Sequence, residues 1–356
     1  MAVIQTIRGF GRRWGRTAWR DLPCVGALLG LLAILGGCGT ISLSNAPLEM
    51  DNATGTVLQT AEGHLISPEA LLDNMLHAQV IYLGEQHDNP YHHHLQRAIL
   101  EKLLAHGKRP AIGFEFFSRD QTGWLMNFTL GKPSPFALPQ SDDPGETLRK
   151  KLGWEKRPEW AFYFPLLQLA RTHHLPVFGA DLPDGLRVRL ARNDLAELSA
   201  IEKAEWTPTH FVHEDYQQLM LKKLALAHCG MAPESLLQRL YVTWVARNDA
   251  MAQAIALMRT AAPDEPVVMV LGAGHVAHDM GVHERVAFLQ PGIHQVNLGF
   301  QEIHPEDPPL PRPFEPVRVG QTPFAPDHPF LWFTPPAPDR EDPCAPLLSR
   351  SPSPPR

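Results

Sequence analysis

A long apolar run is one of several features that this chain of 356 residues lacks. The apolar stretch from Val25 to Leu35 has about 11 residues, too few for a helix that crosses a bilayer of about 30 Å. No long basic run follows the N-terminal leader and the formal net charge is −6, which argues against a general nucleic-acid-binding protein. Tyrosine is scarce, with 5 residues, so a function that needs a phenol has few candidates. Proline is abundant instead, with 35 residues, many of them near the C-terminus.

The first 38 residues have the order of features that is typical of a bacterial lipoprotein signal peptide. A leader with five arginines precedes the apolar run Val25–Leu35, and Leu35-Gly36-Gly37-Cys38 then matches a lipobox. This predicts cleavage before Cys38 and lipidation of its thiol. Because Gly39 is not Asp, no signal retains the protein in the inner membrane, and we expect a lipid anchor outside the cytoplasm, in the outer membrane of a Gram-negative bacterium. The alternative is a soluble secreted protein with a chance cysteine.

Two cysteines remain after the predicted signal peptide is removed with Cys24 and Cys38 is lipidated. Cys229 and Cys344 could pair in an oxidising compartment, although their spacing does not require it.

Composition divides the rest of the chain into a tether, a domain and a tail. The proline-rich tail is predicted to be partly disordered, above all after Pro335. The predicted boundaries are 1–38 for the signal peptide, 39–55 for the tether, 56–300 for the domain and 301–356 for the tail.

Short apolar runs alternate with helical segments in the predicted domain. Val80–Leu83 is typical of a buried strand, and Asn89-Pro90 is a capping pair that starts the helix after it. Strands that alternate with helices pair in parallel. The sequence therefore predicts an α/β fold with a mainly parallel central sheet flanked by helices, and a helical cap lobe at about 120–165 and 190–260. Further strands are predicted at 110–114, 175–180, 267–271 and 295–298.

Two shorter patterns add strands outside this alternation. Residues 57–60 and 64–66 flank Glu62-Gly63, which predicts a hairpin. In the tail, the apolar residues 330–333 predict a short edge strand.

Acidic residues and histidines follow the predicted strands at their carboxyl ends. Glu85 and His87 come after the first, Glu115 after the second, Asp181 after the third and His275 after the fourth. Open α/β sheets bind their ligands at this edge. We therefore expect these five side chains to converge on one site.

The motifs that carry these residues have a recognisable order along the chain. Two of them are G-x-x-H sequences at strand ends. The set comprises Gly84-Glu85-Gln86-His87, Gly113-Phe114-Glu115-Phe116, Ala180-Asp181-Leu182-Pro183, Arg247-Asn248 and Gly272-Ala273-Gly274-His275. Over about residues 65 to 300 the chain resembles the ChaN family of haem-binding lipoproteins, part of the wider Tiki/TraB/erythromycin-esterase-like superfamily.

The resemblance implies a haem-binding protein that serves iron uptake, with a possible homodimer around the cofactor and a tyrosine among the iron ligands. Phenolate is a hard ligand that suits ferric haem, and a histidine can be the second ligand or contact a propionate. No tyrosine can be assigned from the sequence. The candidate haem-binding residues are His87, His93, Tyr163, Tyr216, Tyr241, Arg247 and His275.

The same resemblance implies an alternative, a divalent-metal-dependent hydrolase. In that reading His87, Glu115 and His275 are catalytic, and Glu85 joins them as a metal ligand, because imidazole and carboxylate suit a divalent metal that activates water. The motif lacks the compactness of H-E-x-x-H. A third reading is a hydrogen-bonded polar network that only fixes the loops. We expect binding in preference to catalysis.

Overall fold

The computed structural model describes the domain and part of the tail. It covers residues 56–60, 63–131, 135–192, 198–205, 208–209, 211, 213–303, 317–338, 340, 342 and 344–345. The predicted signal peptide, with Cys38, and the predicted tether lie outside these residues. Within them, no helix is both long and apolar enough to span a membrane.

Eight strands form one sheet, in which six consecutive strands, counted inward from one edge, are parallel to one another. Its order is β2-β1-β10-β7-β3-β6-β4-β5, with β1 antiparallel to both of its neighbours. This confirms the predicted α/β class. The strands are β1 Val57–Gln59, β2 His64–Ile66, β3 Val80–Glu85, β4 Ala111–Ser118, β5 Val177–Asp181, β6 Val267–Gly272, β7 Gln295–Glu302 and β10 Phe330–Thr334; β8 Val317–Val319 and β9 Thr322–Phe324 form a separate hairpin.

Helices cover both faces of the sheet. Strand residues alternate between the two cores, so that Ile81 and Leu83 pack with Leu71 and Leu95 on one face. Tyr82 packs on the other face, against helices from the C-terminal part of the domain. The helices are α1 Pro68–His77, α2 Pro90–Ala105, α3 Thr122–Leu130, α4 Pro144–Lys151, α5 Trp160–Thr172, α6 Asp184–Arg192, α7 Ala200–Glu205, α8 Glu214–Ala227, α9 Glu234–Ala261 and α10 Val282–Leu289.

Helix starts agree with the capping signals in the sequence. Ser67 accepts a hydrogen bond from the backbone N–H of Ala70 at the start of α1, and Asn89 accepts one from Tyr91 at the start of α2. Each cap is followed by proline at the first helical position. The cap of α2 fixes where the β3–α2 loop ends, and that loop carries His87.

The prediction of an edge strand at residues 330–333 is wrong. β10 lies inside the sheet, between β1 and β7, and all five of its residues are buried. The reason is the predicted N-terminal hairpin, which does form and pairs through β1 with the free side of β10. Val57 lies opposite Trp332, so the two ends of the domain meet in the sheet.

The tail is tied down at two points after Pro335. Arg340 donates hydrogen bonds to Asp88, at 2.6 Å, and to Glu302, at 2.6 Å. Cys344 forms a disulfide with Cys229, which the sequence left open. The predicted disorder therefore does not hold for these residues, because an ion pair and a covalent bond offset the weak structural preferences of the proline-rich segment.

Reduction of the Cys229–Cys344 disulfide should lower the free energy of unfolding by about 3 kcal/mol, since the bond joins residues 115 apart and restricts the unfolded chain. Thermal unfolding with and without a reductant measures this. The double variant Cys229→Ser/Cys344→Ser should match the reduced protein. An equal melting temperature in all three samples would show that the disulfide does not stabilise the fold.

Candidate functional site

The polar residues that follow the strands lie together at the carboxyl edge of the sheet. β3, β6, β4 and β5 are consecutive neighbours, so their ends are adjacent. Glu85 is the last residue of β3, Asp181 is the last of β5, and Glu115 lies within β4. His275 follows β6 in a short helical segment, Ala273–Asp279. The structure thus brings the predicted group together, in two connected clusters.

The first cluster is centred on the carboxylate of Glu115. Arg247, from α9, donates to it through Nη2 at 2.7 Å, and the backbone N–H of Gly272 donates at 2.6 Å. The Nε of the same arginine bonds Asp181 at 2.9 Å. Burial raises the pKa of Glu115, but the nearby His275 and Arg247 outweigh burial and hold this pKa well below its usual range. Glu115 is therefore a buried, ionised and fully partnered carboxylate.

His275 completes this cluster. Its Nε2 lies 3.1 Å from Glu115, its Nδ1 lies 2.6 Å from the Asn248 side-chain amide, and Trp244 stacks on the ring at 3.9 Å. Burial lowers the pKa of His275 despite the attraction of Glu115, which favours the neutral ring. The atom of Asn248 placed at Nδ1 is the side-chain oxygen, but a neutral ring has only one N–H, so we assign the flipped amide, in which the Asn248 nitrogen donates to Nδ1. His275 then donates to Glu115.

The second cluster surrounds Glu85, which is buried. The Tyr163 hydroxyl and the Gln96 amide both donate to this carboxylate. His87 Nδ1 lies 3.1 Å from Oε1, and His93 Nδ1 lies 3.5 Å from Oε2. Burial raises the pKa of Glu85, but the hydrogen bond from His87 and the charges of His93 and His87 outweigh it, so the net pKa is lowered.

His87 differs from the other histidines of the site because its side chain is 44% exposed. Burial lowers its pKa, yet the hydrogen bond to Glu85 and the charges of Glu115 and Glu85 raise it overall. Within the described residues its Nε2 has no hydrogen-bond partner. Its ring lies so close to the backbone of Gly272 that a Cβ there would come within 2.8 Å of Cε1. Phe116 contacts the ring edge-on at 4.5 Å.

His93 has no nitrogen left for a ligand. Nδ1 lies 3.1 Å from the Gln96 side-chain oxygen, Nε2 lies 3.0 Å from the backbone oxygen of His87, and the ring stacks on Phe162 at 4.8 Å. It is a buried positioning residue for the His87 loop.

The candidate tyrosines lie in three different environments. Tyr163 is fully buried, and burial together with Glu85 raises its pKa well above the usual range, so it stays a neutral donor to Glu85. Tyr216 is buried in a separate cluster with Phe324, where burial raises its pKa. Tyr241 packs beside that cluster and is half-buried, and burial raises its pKa to about 12. Tyr163 and Tyr216 therefore do not fit the predicted role of iron ligand.

The four predicted metal ligands are near one another but do not form a metal site. Among the described residues, no three or more side chains of His, Cys, Asp or Glu are placed to hold one ion. The physical reason is that Glu85 and Glu115 are used inside the protein, by Tyr163 and Gln96 in one cluster and by Arg247 in the other. Arg247 is likewise committed to two carboxylates and is not free for a propionate.

Sequence reasoning missed Trp244 as part of this site. It lies on α9 at the same face as Asn248, four residues away, so helical spacing was the signal that could have found it. Phe116 and Phe162 were also missed, because a half-buried aromatic residue in a helix or strand has the pattern of an ordinary core residue.

Stability should depend on pH through His92, which is buried beneath the site. Its Nδ1 accepts the N–H of Gln86 at 2.9 Å and its Nε2 donates to Thr334, so the folded protein needs the neutral ring. Burial lowers its pKa from 6.5 to about 4. The unfolded chain therefore binds a proton at His92 below about pH 6.5, whereas the folded protein binds it only below about pH 4. As the pH falls through this window, His92 alone should lower the free energy of unfolding by about 3 kcal/mol.

Urea unfolding at several pH values between 4 and 7 measures this slope. His92→Phe should be less stable at neutral pH and should lose the part of the slope that His92 contributes, whereas His328, whose pKa burial also lowers to about 4, still contributes in the variant. His94→Phe is the matched control, since His94 is exposed on the same helix. An unchanged slope in His92→Phe would contradict the assignment.

The fold and site define an α/β protein with two buried carboxylate clusters at one sheet edge and one accessible histidine between them. A model of the family described as haem-binding uptake, Tiki superfamily, ChaN matches residues 71–286. The chain therefore belongs to this family of haem-binding uptake proteins, as its motifs predicted.

A solved structure of a ChaN protein agrees on the fold. "Cofacial heme binding to ChaN of Campylobacter jejuni" superposes with a TM-score of 0.57 and 16% identity, over 79% of this chain and 96% of that one. Two others are less similar. A mutant of the erythromycin esterase EreC, in its open conformation, has a TM-score of 0.36 and 15% identity, over 70% and 76% of the two chains. A protein from Bacillus cereus has a TM-score of 0.38 and 14% identity, over 65% and 68%. No curated protein sequence matches the chain.

Proposed function

We propose that this protein is a haem-binding lipoprotein for haem uptake, anchored outside the cytoplasm through lipid on Cys38. The family match supports haem as the ligand. The basic leader, the apolar run and the lipobox support the anchor. The two parts are independent, because the anchor concerns residues 1–38 and the ligand concerns the edge of the sheet.

The observation that carries the haem proposal is the exposed ring of His87. When bound, haem would supply an iron for a protein ligand, together with a wide apolar surface. A histidine ligand usually donates one ring N–H to an acceptor, which fixes its orientation and leaves the other nitrogen for the metal. His87 has this arrangement, with Nδ1 on Glu85 and Nε2 without a partner among the described residues.

The surroundings of His87 also fit a porphyrin. Phe116 and Phe162 are half-buried aromatic residues beside His87 and His93, and offer apolar surface at the mouth of the site. Arg247 is held inside the protein, so the propionates need other partners. In this proposal the buried clusters hold the His87 loop in place and take no part in ligation. A metal-dependent hydrolase gains no support from the described residues, because both carboxylates are already partnered.

The test is a haemin titration of the full chain, followed by absorption spectroscopy. We expect a Soret band that saturates with haemin, and a ferrous carbon monoxide adduct of the histidine type. A tyrosinate charge-transfer band would replace His87 by a tyrosine as the iron ligand, and a failure to bind haemin would overturn the proposal. Sedimentation with and without haemin tests the dimer that the family resemblance implies. Globomycin-sensitive processing and palmitate incorporation, both lost in Cys38→Ser, test the anchor.

A further inference from the structure

A groove lies between α1 and α2, away from the His87 site, and nothing above assigns it a role. Its volume is about 380 Å³. Trp332 of β10 contributes to its floor. We call it the α1–α2 groove; its lining comprises Pro68, Glu69, Leu71, Leu72, Asp73, Met75, His94, Leu95, Ala98, Ile99, Lys102, His106 and Trp332.

The groove is long and apolar along its base. Four of its lining residues on the α2 side are four positions apart and therefore form one stripe of about 18 Å along the helix: His94, Ala98, Lys102 and His106. Ala98 is the small residue in the middle of the stripe and leaves the groove open there. Surface of this shape buries a linear alkyl chain along its whole length and gains free energy in proportion to the apolar area covered.

The two ends of the groove differ in charge. Both helices follow strands that point the same way, so both start at the carboxyl edge of the sheet and run side by side. Glu69 and Asp73 on α1 consequently lie toward that edge, and Lys102 and His106 on α2 lie toward the opposite one. Among the described residues, Lys102 has no ion-pair partner. One end thus offers a cation to a carboxylate, and the other end repels a second anionic group.

We propose that the α1–α2 groove binds a long-chain fatty acid, with its alkyl chain on the apolar floor and its carboxylate at Lys102. The single cationic end selects a ligand with one anionic head. The long shape selects an unbranched tail over a flat ring system. This proposal is independent of haem binding, which uses His87 at the sheet edge.

The test uses Trp332 as a reporter. The full chain is placed in lipid nanodiscs and titrated with dibromostearic acid, whose bromines quench tryptophan fluorescence on contact. We expect saturable quenching that unbrominated stearic acid reverses, and a smaller amplitude in Trp332→Phe. Lys102→Glu should weaken binding at least tenfold, and Ala98→Phe should abolish the saturable phase by filling the groove. Lys222→Glu, an exposed residue of α8, is the matched control and should bind as the wild type does.

Several results would overturn the proposal. Equal binding in Lys102→Glu and Lys222→Glu would show that Lys102 does not bind the carboxylate. Unchanged binding in Ala98→Phe would show that the fatty acid binds elsewhere. Quenching by nanodiscs of dibrominated phosphatidylcholine, with no further effect of the free acid, would assign the groove to membrane lipid. Quenching that appears only in Cys38→Ser would assign it to the chain's own lipid anchor. Circular dichroism and the haemin titration check that each variant is folded.

Discussion

Replacing Arg247 with methionine should lower the free energy of unfolding by about 4 kcal/mol at neutral pH, one of the two largest effects we expect. The side chain of Arg247 is 21% exposed, and its partners Glu115 and Asp181 are 3% and 8% exposed. Methionine has a similar length but no charge, so the variant leaves two buried carboxylates without their shared cation. Breaking a buried ion pair from one side typically costs about 3–5 kcal/mol. Urea unfolding at pH 7 measures the loss.

The effect of Arg247→Met should depend on pH with a known sign. Without the arginine the pKa of Glu115 rises, so the loss should be smaller near pH 5, where protonation relieves the unpaired charge. Arg187→Met is the matched control, because its ion pair with Asp184 is exposed and exposed pairs contribute less than about 1 kcal/mol. If the two variants had the same free energy of unfolding, the buried cluster of Arg247, Glu115 and Asp181 would not stabilise the fold as its geometry indicates.

Replacing His87 with alanine should weaken haem binding at least a hundredfold and shift the Soret band, the second large effect. The reason is that His87 is the site histidine with both an exposed ring and a nitrogen available for iron, whereas His93 and His275 use both nitrogens within the protein. Glu85→Gln should give a smaller loss of about tenfold, since it alters the acceptor that orients the ring. Haemin titrations of the three proteins measure both effects.

The control for His87→Ala is His94→Ala, an exposed histidine of α2 outside the site. It should bind haemin like the wild type. Tyr163→Phe should retain the Soret band of the wild type, because this hydroxyl is buried against Glu85. Wild-type affinity in His87→Ala would exclude this residue as the ligand, and a band that changes only in Tyr241→Phe would assign the iron to that tyrosine.

The sequence predicted the sheet and its polar edge because both depend on local patterns. Buried parallel strands are short apolar runs, and a residue that follows such a run must lie at the carboxyl edge. This is why Glu85, Glu115, Asp181 and His275 could be placed in one site without coordinates. Their partners were harder to predict, since the hydrogen bond from Tyr163 to Glu85 joins residues 78 positions apart in separate elements.

Other features depend on long-range packing that no local pattern contains. The length and composition of residues 330–334 fit an edge strand as well as an inner one, and only the hairpin of β1 and β2 decides between them. The sequence around the three tyrosines of the helical stretches likewise does not show how deeply each of them is buried. Their burial, and therefore their ability to ligate iron, follows from the packing of α5, α8 and α9.

The position of β10 has a consequence for when the molecule can fold. Val57 and Trp332 are partners in the sheet although they are 275 positions apart, and β10 lies between β1 and β7. Contacts of such high sequence separation form slowly. A ribosome therefore releases nearly the whole polypeptide before the hairpin of β1 and β2 can pair with β10 and complete the sheet.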